Sequence, residues 1–331
     1  MQGFASIRPA ASLPALGGAR AFACKRAHAM LATMQARVSR YFGSMVLGLT
    51  LTACSQPVPF AQLSGVLMAP QLDEISGMAA SHAHPDTFWV VNDGGGGPVL
   101  YAIGRHGGLD ATVRVANVAN TDWEDLSSFD LDGHHYLLIA DTGDNGGLRR
   151  TAQLHVVEEP SLEDGSVRPA WSIAFRWPDG PRDCEAVAVD VANRRVLLIS
   201  KRHRPPELFS LPLRPAIGTV QVARFVGYLA GIPQPDAQSL HNDAHLAHLR
   251  HQITAAELSP DGRTLAVLTY SELLLYSRSP RASWEQAAAS APRVFDLPWL
   301  PQAEAIAWSA NGRGLYATGE HSPAPLVLLT P

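Results

Sequence analysis

The chain has 331 residues, of which 26 are basic, 30 acidic, 46% hydrophobic and three cysteine. A net charge of −4 argues against the phosphate-coating surface of a nucleic-acid binder, and three cysteines are too few for a framework of several disulfides. The length allows a large apolar core.

Residues 1–53 hold no acid and six bases: Arg8, Arg20, Lys25, Arg26, Arg37 and Arg40. That bias marks a processing segment rather than a folded domain. The apolar run Tyr41–Leu51 is too short for a stable span and ends in Leu51-Thr52-Ala53-Cys54. This looks like a bacterial lipoprotein signal. The resemblance implies cleavage before Cys54, lipidation of its thiol and anchoring in the cell envelope. Ser55, standing where Asp would retain the protein at the inner membrane, implies the outer membrane. Met34 would open a signal of ordinary length. The remaining chain carries 20 basic and 30 acidic residues, a net charge of −10, with Cys184 as its free thiol. The expected division is a leader at 1–53, a tether at 54–64 and one domain at 65–331.

A lone strand is expected at Gly65–Ala69, followed by five hairpin units. Their first strands are Ile75–Ala80, Leu126–Asp130, Ala186–Asp190, Ala255–Ser259 and Ala305–Ser309. Turn signals such as Asp132-Gly133 and Asp261-Gly262 separate these from second strands at Phe88–Val91, Tyr136–Ala140, Val196–Ser200, Leu265–Thr269 and Gly314–Thr318. A repeat of about 50 residues with several short strands means a propeller or array. The remaining strand signals complete four strands per unit, except in the fifth. The lone N-terminal strand can supply the missing outer strand and close the ring. The expected fold is therefore all-β, a five-bladed β-propeller of four-stranded antiparallel blades. A sixth blade would have to come from Ala230–Gln252, which has no strand pattern. Alternation puts Gly77, Ser127, Ala188 and Ala307 toward a crowded channel and Met78, Leu126, Val187, Leu258 and Trp308 between blades. Glu257 breaks the small set, and in a channel it would need water or a cation.

The motifs Asn92-Asp93-Gly94, Asp122-Trp123-Glu124-Asp125-Leu126, Asp141-Thr142-Gly143-Asp144-Asn145, Cys184-Glu185-Ala186, Ser259-Pro260-Asp261-Gly262 and Ala303-Glu304-Ala305-Ile306 stand in this order. In this the chain resembles a group of exported bacterial β-propeller proteins over about residues 65–331. It is more distantly similar to phytase-like and TolB-like propellers. The resemblance implies the fold and no activity. The phytase-like members suggest calcium and phosphoesters, but their catalytic sets have no residue-by-residue match here.

In an antiparallel hairpin the start of the first strand and the end of the second lie at one end. Glu74, Glu124, Glu185 and Glu304 stand before first strands, with Thr254 in unit four. Asn92, Asp93, Asp141, Lys201, Tyr270 and Glu320 stand after second strands. All should gather at one mouth of the ring, where a small molecule, a metal or a protein partner would bind. The competing expectation is that the glutamates tie blades by accepting backbone N–H bonds. Asp141, Asp144 and Asn145 offer hard oxygens within one turn, which suits calcium. Lys201 and Arg202 would form a cationic side for an anionic group. If Asp236 caps a helix, His241, His245 and His248 share one face, a transition-metal pattern that also suits a solvated lid, with His251 just beyond. Two functions follow: an anchored binding or scaffold propeller, or a metal-dependent hydrolase of phosphoesters or esters. In the second, Glu124, Glu185 or Glu304 would act as base and Lys201 or Arg202 would stabilise the anion.

Overall fold

The computed structural model describes residues 60–300 and 302–331, so the leader, Cys54 and the first part of the tether lie outside the described residues. Five sheets form the five blades. Their inner strands are Ile75–Ala80, Trp123–Leu131, Cys184–Asp190, Ile253–Leu258 and Ala303–Trp308. Each inner strand packs against the next around the ring, and the fifth against the first. Each gap between neighbouring blades holds one apolar cluster.

Closure is made by the N-terminal strand, which runs over Ala61–Leu67 rather than 65–69. It pairs antiparallel with Ala324–Leu329, from Ala61 opposite Leu329 to Leu67 opposite Ala324. The strand begins earlier than its hydrophobic pattern because the edge face is wet: Leu63 is exposed while Leu67 is buried. Phe60, stacked 4.9 Å from Phe295, fixes its start. The segment 61–64, expected as tether, thus belongs to the last blade. Two-residue parallel strands, Ser166–Val167 and Gln221–Val222, cover the outer edges of blades 1 and 2. Ala230–Gln252 adds no blade. It carries two short helices, Ala237–Asn242 and Ala244–Leu249.

Alternation in the inner strands differs from expectation in one respect. The large set packs back on the preceding blade: Met78 against Ala305 and Leu326, and Val187 against Leu138 and Leu154. The small set meets the following inner strand rather than an open channel. A Cβ at Gly77 would lie 2.6 Å from the Leu126 nitrogen, so only glycine admits that approach. The axis itself is crossed by Asp125. Its carboxylate accepts hydrogen bonds from Leu126 N at 2.8 Å, Val187 N at 2.8 Å and Ala256 N at 3.2 Å, joining blades 2, 3 and 4. Glu257 neither faces water nor awaits a cation. It is buried and accepts the Trp308 amide of blade 5. Asp125 and Glu257 thus tie inner strands of neighbouring blades by accepting backbone amides.

Candidate functional site

One irregularity, repeated five times, builds the mouth. In each blade the pairing of inner and second strands slips by one residue near the start of the inner strand. The residues left without a partner are Ser76, Glu124, Glu185, Thr254 and Glu304. A bulge re-aims its side chain and ends regular pairing. The residues that leave the ladder opposite these bulges are Asp93, Thr142, Lys201, Tyr270 and Glu320. The ten positions form two rings.

Three hydroxyls among them serve the fold. Ser76 Oγ donates to Trp123 O at 2.8 Å, Thr142 Oγ1 to Cys184 O at 2.6 Å and Thr254 Oγ1 to Ala303 O at 2.7 Å, each to the blade that follows. The other seven, Glu124, Glu185, Glu304, Asp93, Lys201, Tyr270 and Glu320, line a cavity of about 480 Å³. Glu74, Asn145 and Arg202 join them, and His245, Leu249 and Gln252 of the helical insertion overhang it. Nearly all the expected site residues therefore converge.

Two expected residues point elsewhere because the register puts them in the ladder. Asn92 pairs with Ile75 and donates through Nδ2 to Gln71 O at 2.8 Å. Asp141 pairs with Trp123 and holds Arg149 Nη2 at 2.7 Å. Thr142 takes the position expected of Asp141, and in blade 1 Ser76 takes that of Glu74. The expected calcium loop is not assembled. Asp144 accepts from Leu148 N at 2.8 Å and Arg149 N at 3.0 Å, capping its own turn. Asn145 is held by Arg202. The histidine face is broken too. Asp236 caps a helix as expected, accepting from Ser239 N at 2.7 Å. Extended backbone at Asp243 then ends that helix and caps a second. His241 is left on the first helix, His245 overhangs the mouth, His248 meets Arg204 and His251 lies 2.9 Å from Glu272.

The carboxylates that do converge are Asp93, Asp122 and Glu124, and, on the other side of Glu124, Asp183 and Glu185. Within each trio one oxygen from every residue lies within 4.8 Å of the others. Room for them is left by glycine. A Cβ on Gly143 would fall 2.0 Å from Glu124 Oε1 and 2.5 Å from Asp122 Oδ2, and one on Gly94 2.5 Å from Asp122 Oδ1. Glu124 is 5% exposed, and its Oε1 is buried without a hydrogen-bond partner among the described residues. Asp122, which the sequence marks only as the first residue of the Asp122–Leu126 motif, and Asp183 are not among the residues expected at the mouth. Asp183 immediately precedes a strand that begins Cys184-Glu185, and no turn or repeat signal marks it.

Electrostatics follow from crowding in a dry place. Burial pushes the Glu124 carboxyl well above its usual range, and Glu185, Asp93 and Asp122 push it further. Asp122 is raised to about 6 by burial first and Asp93 next. Burial raises Glu304 and Glu185 as well, Glu185 to about 8 against the pull of Lys201. Burial alone would discharge Lys201, but the neighbouring Glu185 outweighs it and keeps the ammonium. Lys201 Nζ donates to Glu185 Oε1 and lies 3.3 Å from Tyr270 Oη, and Tyr270 bonds Glu304. Arg202 is drawn to Asp183 Oδ2 at 3.0 Å. Lys201 and Arg202 are thus taken by acids on one side; Arg149 acts on Asp122 from the other, but its guanidinium is itself held by Asp141 and by Gly143 O.

No family model matches the chain, and no curated protein matches it. A solved nidogen/laminin complex contains a chain of similar fold. It is 11% identical, with a TM-score of 0.43, over 75% of this chain and 73% of that one.

Proposed function

We propose that this propeller is an envelope-anchored binding protein that holds a hard divalent cation at Asp93, Asp122 and Glu124. The cavity above the ion would receive a small molecule or a partner's side chain. The observation that carries the reading is the buried, unpartnered oxygen of Glu124 between two groups of acids. A lone buried carboxylate oxygen costs free energy, and a cation removes both that cost and the repulsion around it. Carboxylate oxygens at close spacing select calcium or magnesium over softer ions. Lys201, already neutralised, would meet an anionic group of the ligand only by exchanging partners with Glu185. The envelope location rests on Leu51–Cys54 and on the resemblance to exported propellers. Cys54→Ala should release the protein from membranes, and an unlipidated N-terminus upstream of Cys54 in mass spectra would refute the anchor.

The test is thermal unfolding of chelator-treated protein with added calcium, magnesium or manganese. At a hundredfold excess over the dissociation constant, binding stabilises by about 2.7 kcal/mol. Unmoved melting curves with all three ions would end the cation reading.

A second reading, a metal-dependent hydrolase, is favoured by the open 480 Å³ above the trio, since catalytic metals keep a free position. A metal there would supply an activated water, and its field would favour the ionised form of a nearby carboxyl, which would then take the proton, the role expected of Glu124, Glu185 or Glu304. Turnover of generic phosphomonoesters or carboxylic esters that depends on both added metal and Glu124 would decide for it.

A further inference from the structure

The opposite face of the ring carries a second constellation, independent of the mouth. In blade 2, Asp130 and His135 are directly paired across the inner and second strands, so their side chains share a face. The turn of blade 1 brings in His82. His82 Nδ1 lies 2.6 Å from Asp130 Oδ1, and His135 Nδ1 lies 2.6 Å from the same oxygen. The two imidazoles meet edge to face, 5.9 Å between centres. All three residues line a cavity of about 620 Å³ at the turn end of the propeller.

The turn that carries His82 is fixed from outside. The Glu159 carboxylate, reaching across from blade 2, accepts the His82 amide at 3.0 Å, the Ala83 amide at 3.3 Å and the Trp89 indole N–H at 2.9 Å. Ser128 Oγ lies 3.2 Å from His82 Nε2, on the far side of the ring from Asp130. A histidine that binds metal through one nitrogen donates the N–H of the other to a neighbouring oxygen, which sets its tautomer and orientation. Ser128 stands where that neighbour must be if Nδ1 is the ligand.

We infer that His82, Asp130 and His135 form a binding site for a borderline transition-metal ion such as zinc, distinct from the hard-cation centre at the mouth. Two imidazoles and one carboxylate are a ligand set for zinc, with a further position left toward the cavity. Bond lengths of about 2.0–2.2 Å place ligand atoms roughly 3.4 Å apart around a tetrahedral ion. The 2.6 Å separations must therefore open by about 0.8 Å. His82, Asp130 and His135 side chains are 27%, 61% and 46% exposed, so rotation of side chains achieves this without moving a strand.

The experiment titrates zinc, and cobalt as its spectroscopic substitute, into protein carrying Glu124→Gln, so that the mouth does not compete. One equivalent should bind, with cobalt giving the visible bands of a four- or five-coordinate nitrogen-bearing site. His82→Ala with His135→Ala should weaken zinc at least 100-fold and remove those bands, while melting of the metal-free protein stays within about 1 °C. Ser128→Ala should weaken zinc about 10-fold. A parallel change of His245 and His248 to Ala should leave binding unaltered. If the parent takes up no zinc at micromolar concentration, or the double variant binds as well as the parent, the three residues are a hydrogen-bonded surface cluster and the inference is wrong. Calcium stabilisation at the mouth would be untouched by that result, so the two readings fail separately.

Discussion

Replacing Glu124 by Gln keeps the size of the side chain and removes the charge. If the mouth acids exist to hold a cation, this change should stabilise the metal-free protein, the reverse of what most buried substitutions do. Glu124 is 95% buried by accessible surface and pushed far up by burial and by Glu185, Asp93 and Asp122. With the folded value raised above the ordinary 4.5 of the unfolded chain, stability falls as pH climbs above that value, by about 1.4 kcal/mol for each pH unit through which the folded carboxyl stays protonated. Each such kcal/mol is worth about 2 °C or more in Tm for a domain of this size. The sign is fixed: with the folded value raised, the stabilising protonation is complete below pH 4.5 and is lost as pH rises. Parent and variant should melt together near pH 4 and diverge toward neutrality, the variant higher. Saturating calcium should lift the parent by a comparable amount and leave the variant unmoved. Differential scanning calorimetry from pH 4 to 8, with chelator and with calcium, measures both effects. A variant that melts below the parent in chelator at pH 7 would show that Glu124 has a structural partner, and the cation argument would fall with it.

Two further outcomes separate site from scaffold. Gly143→Ala would place a methyl 2.0 Å from Glu124 Oε1, so it should abolish the calcium response in the same melts while lowering Tm by no more than a few degrees. Asp125→Ala would strip the acceptor from the amides of Leu126, Val187 and Ala256 and should cost at least about 3 kcal/mol in urea unfolding, with calcium stabilisation retained if the protein still folds.

The ring was legible because hairpins announce themselves. Asp132-Gly133 turns with positive φ at both residues, 52° and 87°, as the two-residue connection requires. Apolar alternation on either side then sets which strand ends meet. The mouth residues followed from that geometry alone, with no ligand motif to guide them. Strand ends were less legible, since polar residues at an edge break the alternation that periodicity relies on, as at Leu63–Gly65. Two-residue parallel strands such as Ser166–Val167 leave no pattern of their own.

What hairpin logic could not supply is the bulge. A single extra residue per blade exchanges the parity of everything before it, so residues one position apart take opposite roles. Asp141 goes to Arg149 while Thr142 reaches the next blade, and Glu124 enters the mouth while Asp125 crosses the axis. This pair also bears on why the acids are there. The fold already ties its blades with Asp125, Glu257, Glu159 and Asp190 and with hydroxyls such as those of Ser76, Thr142 and Thr254. Ser76 and Thr254 show that a bulge is stable with a small hydroxyl residue in it. Glutamate at the other three bulges is therefore not a requirement of the propeller, and burying it among like charges works against stability. Residues that the scaffold does not need and that cost it free energy are retained for what they hold, which is the argument for reading the mouth as the working face.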